Sequence, residues 1–511
     1  MEMQWIRENM ETEQMIAAKP TQVSVEAEVA LPGGLREEAR VYYADASAAV
    51  NGGELTGSRV TADGRVTFHV LYAQGDLAHV DALETSADFS QALPLKEENT
   101  QMAALRLQPR AEVQHVSAKA FNGRLLLRAI LNLTAEAALP RTVSFIRDTA
   151  EAPDMQKAMQ TIQLQRTVGE GENQILLREE FPLNDALQIK STLYAMAQAQ
   201  VEDILGGADG RATVTGTITL DACHTSALPG RPLVATRHTM PFEQAVSLSG
   251  ALGDALAAKA TVRDVAVLSQ EGEDGGRIMR AEVQLFTELS AVEDAEMTVL
   301  RDVFTTAGDA VETRVQRVVF RSGTVNETAA ESGKTVMSLP EGSPRVKTAL
   351  LGFVRPIIVQ AERQRGRLVV EGILDAAVIY QTDDDDVPVA VQQEEPFRAV
   401  FSLDTAPEDA LSLTAGQVEV NAVTGDRVEF KYILRLSVEG VRKDAADVIV
   451  DAAMAESAEA PRGIMLYYVQ PGEDVWDIAK RYRVSLEELR QLNPGLGDTA
   501  AVGTPVIAYK R

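Results

Sequence analysis

The sequence contains almost no cysteine. Cys223 is the only one among 511 residues, so no disulfide can form within the chain. A multidomain protein without disulfides is typical of a reducing compartment. The N-terminal segment also lacks the basic stretch and apolar run that mark a secretory signal. These absences predict a cytoplasmic protein.

Basic residues are scarce relative to acidic ones. The chain has 49 Lys and Arg against 75 Asp and Glu, a formal net charge of −26. Because phosphate groups are bound by clustered cations, this balance argues against nucleic acid and against an anionic membrane surface. The whole excess lies in the body, since residues 465–511 carry six basic and six acidic side chains. We interpret it mainly as a solubility feature, with an acidic docking surface as the alternative.

Aromatic residues make up only 5% of the chain, and no apolar run approaches the length that spans a bilayer. We therefore expect no membrane insertion. Val, Ala and Thr are abundant instead. This composition favours sheets packed with small and β-branched side chains over a cleft lined with rings. The length predicts roughly three or four domains.

Residue patterns typical of catalysis or metal binding are also lacking. The five histidines stand singly, and none lies at i, i+4 from a second ligand. Cys223 and His224 are adjacent, but neighbouring strand residues point to opposite faces, so we expect no dyad. The acidic run 383–386 offers carboxylates for calcium, although its position favours a solvated hairpin tip. We predict a non-enzyme without cofactor or metal.

Three landmarks recur in the same order at an interval of about 150 residues. An apolar residue precedes proline at 31–32, 181–182 and 339–340. A Gly-Arg step opens a strand-like segment at 64–65, 210–211 and 366–367. A phenylalanine precedes an alternating run at Phe89, Phe242 and Phe397. The shared interval predicts that the body is three copies of one module.

Short turn sequences divide each module. They contain glycine, most often beside Asn or Asp, and occur at 62–65, 121–124, 208–211, 274–277, 364–367 and 424–427. Such residues supply the positive φ angles that tight hairpin turns need. Apolar and polar residues alternate after the turns, as at 211–220, which predicts antiparallel strands with one face on a core. Each module is therefore predicted to be sandwich-like, with two hairpin units.

These signals predict a mainly β, multidomain chain. The β modules are predicted over 19–148, 167–303 and 315–451, after an acidic helix over residues 1–18 with Trp5, Ile6 and Met10 on one side. Residues 452–464 are rich in Ala, Glu and Ser, which is typical of a linker. The last domain, 465–511, is therefore expected to be tethered to the body.

The C-terminal segment has a pattern of its own. A short strand at 467–469 is followed by Pro471-Gly472, and Asp474 is placed to cap a first helix. Ser485 and Glu488 form a capping box for a second helix, which stops at 493–495. Residues 506–508 return as a strand. The pattern predicts a small βααβ domain.

This segment resembles a LysM domain. The matching residues cover it from end to end: Val469, Gly472, Trp476, Ile478, Ala479, Val484, Leu489, Asn493, Pro494, Leu496, Gly503, Val506 and Ile507. The resemblance implies binding of N-acetylglucosamine-containing glycans, such as peptidoglycan or chitin, in a groove between two loops. The resemblance places the following residues in those loops: Gly472, Glu473, Asp474, Val475, Asn493, Pro494, Gly495 and Leu496.

One residue departs from the family pattern. The first loop usually reads Gly-Asp-Thr or Gly-Glu-Thr, whereas this chain has Asp474 in the third position. Aspartate caps a helix as well as threonine does, so the fold is expected to persist. The carboxylate removes a hydroxyl donor and adds charge at the groove. The spacing of Trp476 from Ile478 and Ala479 places it in the core.

Repeated β modules followed by one LysM domain resemble the SipL-like family of clostridial spore-coat morphogenetic proteins, whose repeated part is the SPOCS domain. For the body, the resemblance rests on the repeat interval and on the pattern Gly-Arg-h-x-h-x-Gly, in which h is an apolar residue. It implies a mother-cell protein at the forespore surface that binds the coat-basement ATPase (stage IV sporulation protein A), chiefly through its LysM domain. The alternative is a peptidoglycan-binding protein of the spore cortex or cell wall.

Overall fold

The computed structural model describes residues 4–32, 38–96, 106–150, 154–207, 209–272, 275–307, 309–383, 387–403, 410–456, 462–497 and 500–510. Strands dominate these residues, and the strands pair in antiparallel fashion. They build three β modules of two sheets each and a small C-terminal domain with two helices. The predicted fold class is confirmed.

Seven strands of the first module lie within the described residues. One sheet consists of β3 (Ala39–Thr56), β4 (Arg59–Gln74) and β5 (Asp81–Pro94), with β4 in the centre. In the other sheet, β7 (Arg124–Thr149) is central and β6 (Arg106–Phe121) lies on one side of it. β2 (Thr21–Ala30) and β1 (Trp5–Ala17) lie one after the other along its opposite side.

The second and third modules repeat this topology. The strands of the second are β8 (Met155–Pro182), β9 (Ile189–Gly206), β10 (Arg211–Leu228), β11 (Arg231–Ser247), β12 (Ser249–Gly250), β13 (Ala255–Glu271) and β14 (Arg277–Thr305). Those of the third are β15 (Ala310–Ser338), β16 (Val346–Gln364), β17 (Arg367–Thr382), β18 (Val389–Phe401), β19 (Ala410–Thr424) and β20 (Arg427–Ala455). The central strands are β10 and β14 in one module and β17 and β20 in the other. A 3-10 turn, Asp185–Leu187, precedes β9.

Each module has its own apolar core, formed where its two sheets face each other. Alternation along β10 buries every second residue from Ala212 to Ala222. The sheet edges also meet, since β3 contacts β6, β9 contacts β13 and β16 contacts β19. The modules are therefore flattened sandwiches closed along one side.

The recurring phenylalanines have a structural cause. Phe89, Phe242 and Phe397 lie directly opposite glycines of the central strands, which are Gly64, Gly216 and Gly372. A Cβ on Gly216 would lie 2.1 Å from the carbonyl oxygen of Gln200 and 2.7 Å from the Phe242 ring. Each ring thus covers a backbone position where no side chain fits.

Most of the predicted hairpin turns are found, but the one at 62–65 is wrong. β4 runs through that segment, and the turn between β3 and β4 lies at Gly57-Ser58. Gly64 is required for the contact with Phe89 and not for a turn. The turns at 121–124, 364–367 and 424–427 join the expected strands. At 208–211 and 274–277 the first residue lies outside the described residues, and positive-φ Gly210 and Gly275 precede the next strands.

The predicted acidic helix over residues 1–18 is also wrong, because β1 occupies residues 5–17 and pairs with β7. Met10, Thr12, Ile16 and Ala18 are buried, which is the period of two expected of a strand. The helical grouping of Trp5, Ile6 and Met10 is overridden by pairing with a strand more than 100 residues away.

The sheets extend beyond the predicted module limits of 19–148, 167–303 and 315–451. β8 begins at Met155, β15 begins at Ala310, and β20 continues to Ala455, inside the predicted linker. Register shifts interrupt these ends, for example between Leu300 and Asp302. A bulge reverses the phase of the alternation, so the sequence pattern breaks before the strand does.

The three modules form a closed ring. β5 of the first contacts β9 of the second, β11 of the second contacts β16 of the third, and β18 of the third contacts β3 of the first. Aromatic residues from all three modules meet in a shared cluster, among them Tyr43, Tyr194 and Phe353. The rings of Tyr43 and Phe353 stack with centroids 3.8 Å apart. A second shared cluster joins β1, β7, β8, β14, β15 and β20.

The C-terminal domain has the expected βααβ order. β21 (Gly463–Tyr468) pairs with β22 (Pro505–Lys510), and α1 (Val475–Tyr482) and α2 (Leu486–Leu492) lie between them in the chain. Asp474 and Ser485 cap the helices through capping boxes. Among the described residues, no helix combines the length and apolarity needed to cross a membrane.

Candidate binding site

The core of the C-terminal domain fixes the positions of both predicted groove loops. Val475 is buried beneath the first loop, and Leu496 packs against the same cluster from the second. Trp476 belongs to this cluster as well, so the prediction of a core tryptophan is confirmed. The two loops are therefore anchored on one scaffold.

The polar residues of the first loop are engaged in contacts of the protein itself. The Glu473 carboxylate accepts hydrogen bonds from the Tyr467 hydroxyl at 2.7 Å and the Gln470 amide at 3.1 Å, and it pairs with Arg481. The Tyr467 hydrogen bond, helped by the Gln470 amide and Arg481, lowers the pKa of this carboxyl. Asp474 accepts the Asp477 amide at 2.8 Å as the helix cap. Gly472, with φ of 83°, makes the turn and is exposed.

In the second loop, the Asn493 side chain forms hydrogen bonds to two elements of the domain. Its Nδ2 donates to the carbonyl oxygens of Leu489 and Ile507, each at 2.7 Å, and its Oδ1 accepts from the Ile507 amide at 2.8 Å. The side chain thus joins α2 to the outer edge of β22. Pro494 and Gly495 are exposed at the surface.

A family model for the LysM domain matches residues 467–502. The C-terminal domain is a LysM domain. Searches of curated proteins and of solved structures found no match to the chain. The LysM match suggests binding of peptidoglycan or a related glycan.

The LysM domain is docked on the second module, so the expectation of a tethered domain is wrong. Trp476 Nε1 donates to the Asp302 carboxylate at 2.8 Å, and Lys480 Nζ lies 2.7 Å from both oxygens of that carboxylate. The Trp476 ring meets Phe304 edge-on, with centroids 5.0 Å apart. These contacts join α1 to the end of β14.

Further polar contacts extend this docking surface. Arg483 donates to the carbonyl oxygen of Thr305 at 3.0 Å and to its hydroxyl at 2.8 Å. Arg301 approaches Asp474 at 3.5 Å, so the body reaches a predicted groove residue. The linker composition did not reveal this docking, because the contacts are made by residues far from 452–464, of which 457–461 lie outside the described residues.

One face of the LysM sheet is apolar and exposed. Alternate residues of β21 and β22 turn away from the domain core, and they are Ile464, Leu466, Tyr468, Ile507 and Tyr509. We call this surface the apolar sheet face. This face was not predicted, although β21 reads Gly-Ile-Met-Leu-Tyr-Tyr without the polar alternation of a half-buried strand.

A cavity of about 1400 Å³ lies where the three modules meet. Glu439 of β20 holds cations of the other two modules, with Arg110 at 3.0 Å and Lys259 at 2.7 Å. Arg263 of β13 donates to the carbonyl oxygen of Val50 in β3 at 2.7 Å and lies over the Phe286 ring. The charged residues that line the cavity thus connect the three modules to one another.

Cys223 and His224 lie in separate environments. Cys223 belongs to the shared aromatic cluster, where burial raises the pKa of its thiol to about 12. The His224 ring is fully buried and hydrogen-bonded to the hydroxyls of Thr192 and Thr236 at 3.0 and 2.7 Å. Burial, with a smaller effect of His238, lowers its pKa to about 4. Neither group has the environment of an activated nucleophile or base.

In the part of the chain that the structure describes, no cluster of three or more His, Cys, Asp and Glu side chains could hold a metal ion. Residues 384–386 of the acidic run lie outside that part.

Proposed function

We propose that this protein is a non-catalytic assembly adaptor in endospore coat morphogenesis, acting in the mother-cell cytoplasm at the forespore surface. Its LysM domain would dock the coat-basement ATPase (stage IV sporulation protein A). The order of three β modules and one LysM domain supports the proposal through its resemblance to SipL-like proteins. The observation that carries the choice of a protein partner is the apolar sheet face.

The apolar sheet face has the chemistry of a protein contact. Exposed apolar patches rimmed by polar residues mark sites where proteins associate, whereas sugar recognition needs polar groups free to bond hydroxyls. The Glu473 carboxylate is already bonded to Tyr467 and Arg481. The Asn493 side chain is already bonded to the edge of β22. A protein surface covers such a face without requiring a hydroxyl donor at position 474.

The test is co-purification of the ATPase from sporulating cells that express full-length variants. Tyr509→Lys places a charge on the apolar sheet face and is expected to reduce recovery at least about tenfold. Leu268→Lys, at a position on β13 that is more exposed than Tyr509 (61% against 44%), is the matched control and should leave recovery unchanged. Equal recovery with both variants would remove the apolar sheet face from the proposal.

Point variants are preferable to deletion of the domain. Removing 465–511 would expose Phe304 and leave Asp302 without its partners Trp476 and Lys480. A loss of binding after deletion could then come from the damaged end of β14 instead of the missing domain.

The second candidate is a glycan-binding protein of the spore cortex or cell wall, which the LysM match itself favours. Sedimentation with purified peptidoglycan tests it. Asp474→Thr restores the family's hydroxyl and keeps a helix-capping residue, so improved retention would show that the groove still accepts sugar. No retention of either form, under conditions where an ordinary LysM domain is retained, would leave the protein-partner proposal.

A further inference from the structure

The two edges of the LysM sheet are not equivalent. On β22, the amide and carbonyl of Ile507 both point outward, because they bond to Asn493. Ile507 pairs with Leu466 across the sheet. In an antiparallel pair, two facing residues direct their backbone groups either towards each other or both away. The amide and carbonyl of Leu466 therefore point to the free edge of β21.

The same alternation gives the direction of the backbone groups of the neighbouring residues. Ile464 and Tyr468 lie two positions from Leu466, so their amides and carbonyls also face the free edge. The Val469 amide, one position further, bonds inward to Thr504 at 3.1 Å, as this phase requires. The Tyr468 carbonyl accepts Gln470 Nε2 at 2.8 Å. In the described part of the chain, β22 is the only strand paired with β21.

β21 lacks the devices that protect edge strands. Charged side chains, proline and bulges normally block pairing with a further strand. β21 has no charged residue and no proline, and its register with β22 is unbroken. Ile464 and Leu466 are 79% and 59% exposed. The opposite edge, by contrast, is sealed at Ile507 by Asn493.

We infer that two copies of this protein associate by antiparallel pairing of their β21 strands. Leu466 of one copy lies opposite Leu466 of the other, and Ile464 lies opposite Tyr468. The outward backbone groups of these three residues, apart from the Tyr468 carbonyl that accepts Gln470, then bond across a twofold axis, and a four-stranded sheet results. The inference does not depend on the identity of the ATPase or on sugar binding.

Charge favours a second copy at this edge. The body carries the entire net charge of −26, and the LysM segment is neutral. Two such molecules repel each other wherever their bodies approach, and an uncharged strand on a neutral domain is where they can meet at least cost. Pairing of identical strands also places no like charges opposite each other.

Analytical ultracentrifugation of the full chain tests the inference. A dimer is expected at protein concentrations of about 0.1 mM. Raising the salt from about 0.1 to 1 M shortens the screening length from about 10 to 3 Å, so it should strengthen the dimer by reducing repulsion between bodies. A monomer at both salt concentrations would overturn the inference.

Leu466→Pro is the sharpest variant. It removes an outward amide that takes no part in the ladder with β22, so the LysM fold should tolerate it. The dimer dissociation constant should rise at least about tenfold, because two hydrogen bonds across the axis are lost. Tyr509→Pro changes the outer edge of β22 in the same way and is the matched control.

Leu466→Lys supplies a second route if the proline variant unfolds. It keeps the amide but sets two positive charges beside each other at the axis, so dimerisation should weaken most at low salt. A dimer that survives both Leu466 variants, or that Tyr509→Pro disrupts equally, overturns edge pairing and assigns the contact to another surface.

Discussion

Three pairs of residues in the body, each a glycine opposite a phenylalanine, mark positions where no side chain fits on the central strand. Gly64, Gly216 and Gly372 leave room for a neighbouring carbonyl oxygen that a Cβ would strike. The opposing rings fill the space on the other side. The phenylalanines could be found from the sequence because they recur at a fixed interval. Gly216 and Gly372 recur at the end of the pattern that begins with Gly-Arg. Their role could not be predicted, because the ring opposite a strand glycine is known only once the strands are paired.

Gly216→Ala is expected to lower the free energy of unfolding by about 2–3 kcal/mol, the scale of overpacking in a filled core. The added Cβ must displace the Gln200 carbonyl or the Phe242 ring. Urea unfolding measures the change. Gly52→Ala, in β3 with no atom near the added Cβ, should cost far less, and equal costs would contradict the packing argument.

The buried His224 gives the second module an acid sensitivity. Its pKa is lowered to about 4, mainly by burial, whereas an unfolded histidine titrates near 6.5. The unfolded chain therefore binds the proton first as the pH falls. The stabilisation contributed by neutral His224 is present above about pH 6.5 and is lost between about 6.5 and 4, up to about 3 kcal/mol.

His224→Gln should flatten the pH dependence of unfolding in that window. Urea titrations from pH 7 to 4 would measure the difference from the wild type, which isolates His224 from the carboxylates. The control is His79→Gln at an exposed position, which should leave the pH dependence of the free energy of unfolding unchanged. A variant as acid-sensitive as the wild type would show that another group is responsible.

Among the elements, hairpins and capped helices were predictable and long-range pairings were not. The turns at 121–124 and 364–367 and the caps of α1 and α2 depend on residues within a few positions of one another. β1 depends on β7, and the ends of β8 and β14 depend on bulges. A local pattern contains no information about which distant strand supplies the partner or where the register shifts.

Asn493 illustrates the same limit within the candidate site. The family pattern places it in the groove, and the structure shows that it also closes β22. Asn493→Ala should destabilise the LysM domain by about 1–2 kcal/mol and speed amide hydrogen exchange at Ile507. Amides of the β modules are the internal reference. An unchanged exchange rate at Ile507 would argue against the hydrogen bond from its amide to Asn493.

At the scale of the whole molecule, the LysM domain and the second module act as one unit. The Asp302 carboxylate accepts hydrogen bonds from both Trp476 and Lys480. No pattern in the sequence indicated a contact between residues so far apart. The LysM fold was predictable from its motifs, whereas its orientation was not. The docking determines which surfaces of the domain a partner can reach.

Asp302→Ala should loosen this docking, because Trp476 loses its acceptor and Lys480 its counter-charge. We expect a cost of about 2–3 kcal/mol at the interface. In a Trp5→Phe background, Trp476 is the only tryptophan, and its emission should shift to the red while small-angle scattering shows a larger radius of gyration. Glu296→Ala, elsewhere on β14, should change neither quantity.

The closed ring has a consequence for how this body can evolve. Open solenoids gain or lose repeats at their ends, because each repeat contacts only its neighbours. Here the third module returns to the first, through β18 and β3 and through the ion pair of Arg7 with Asp451 at 2.8 Å. Rotational closure leaves no vacant end at which a fourth copy could insert. The number of modules is thus fixed by geometry, and a duplication or deletion of one would break two junctions at once.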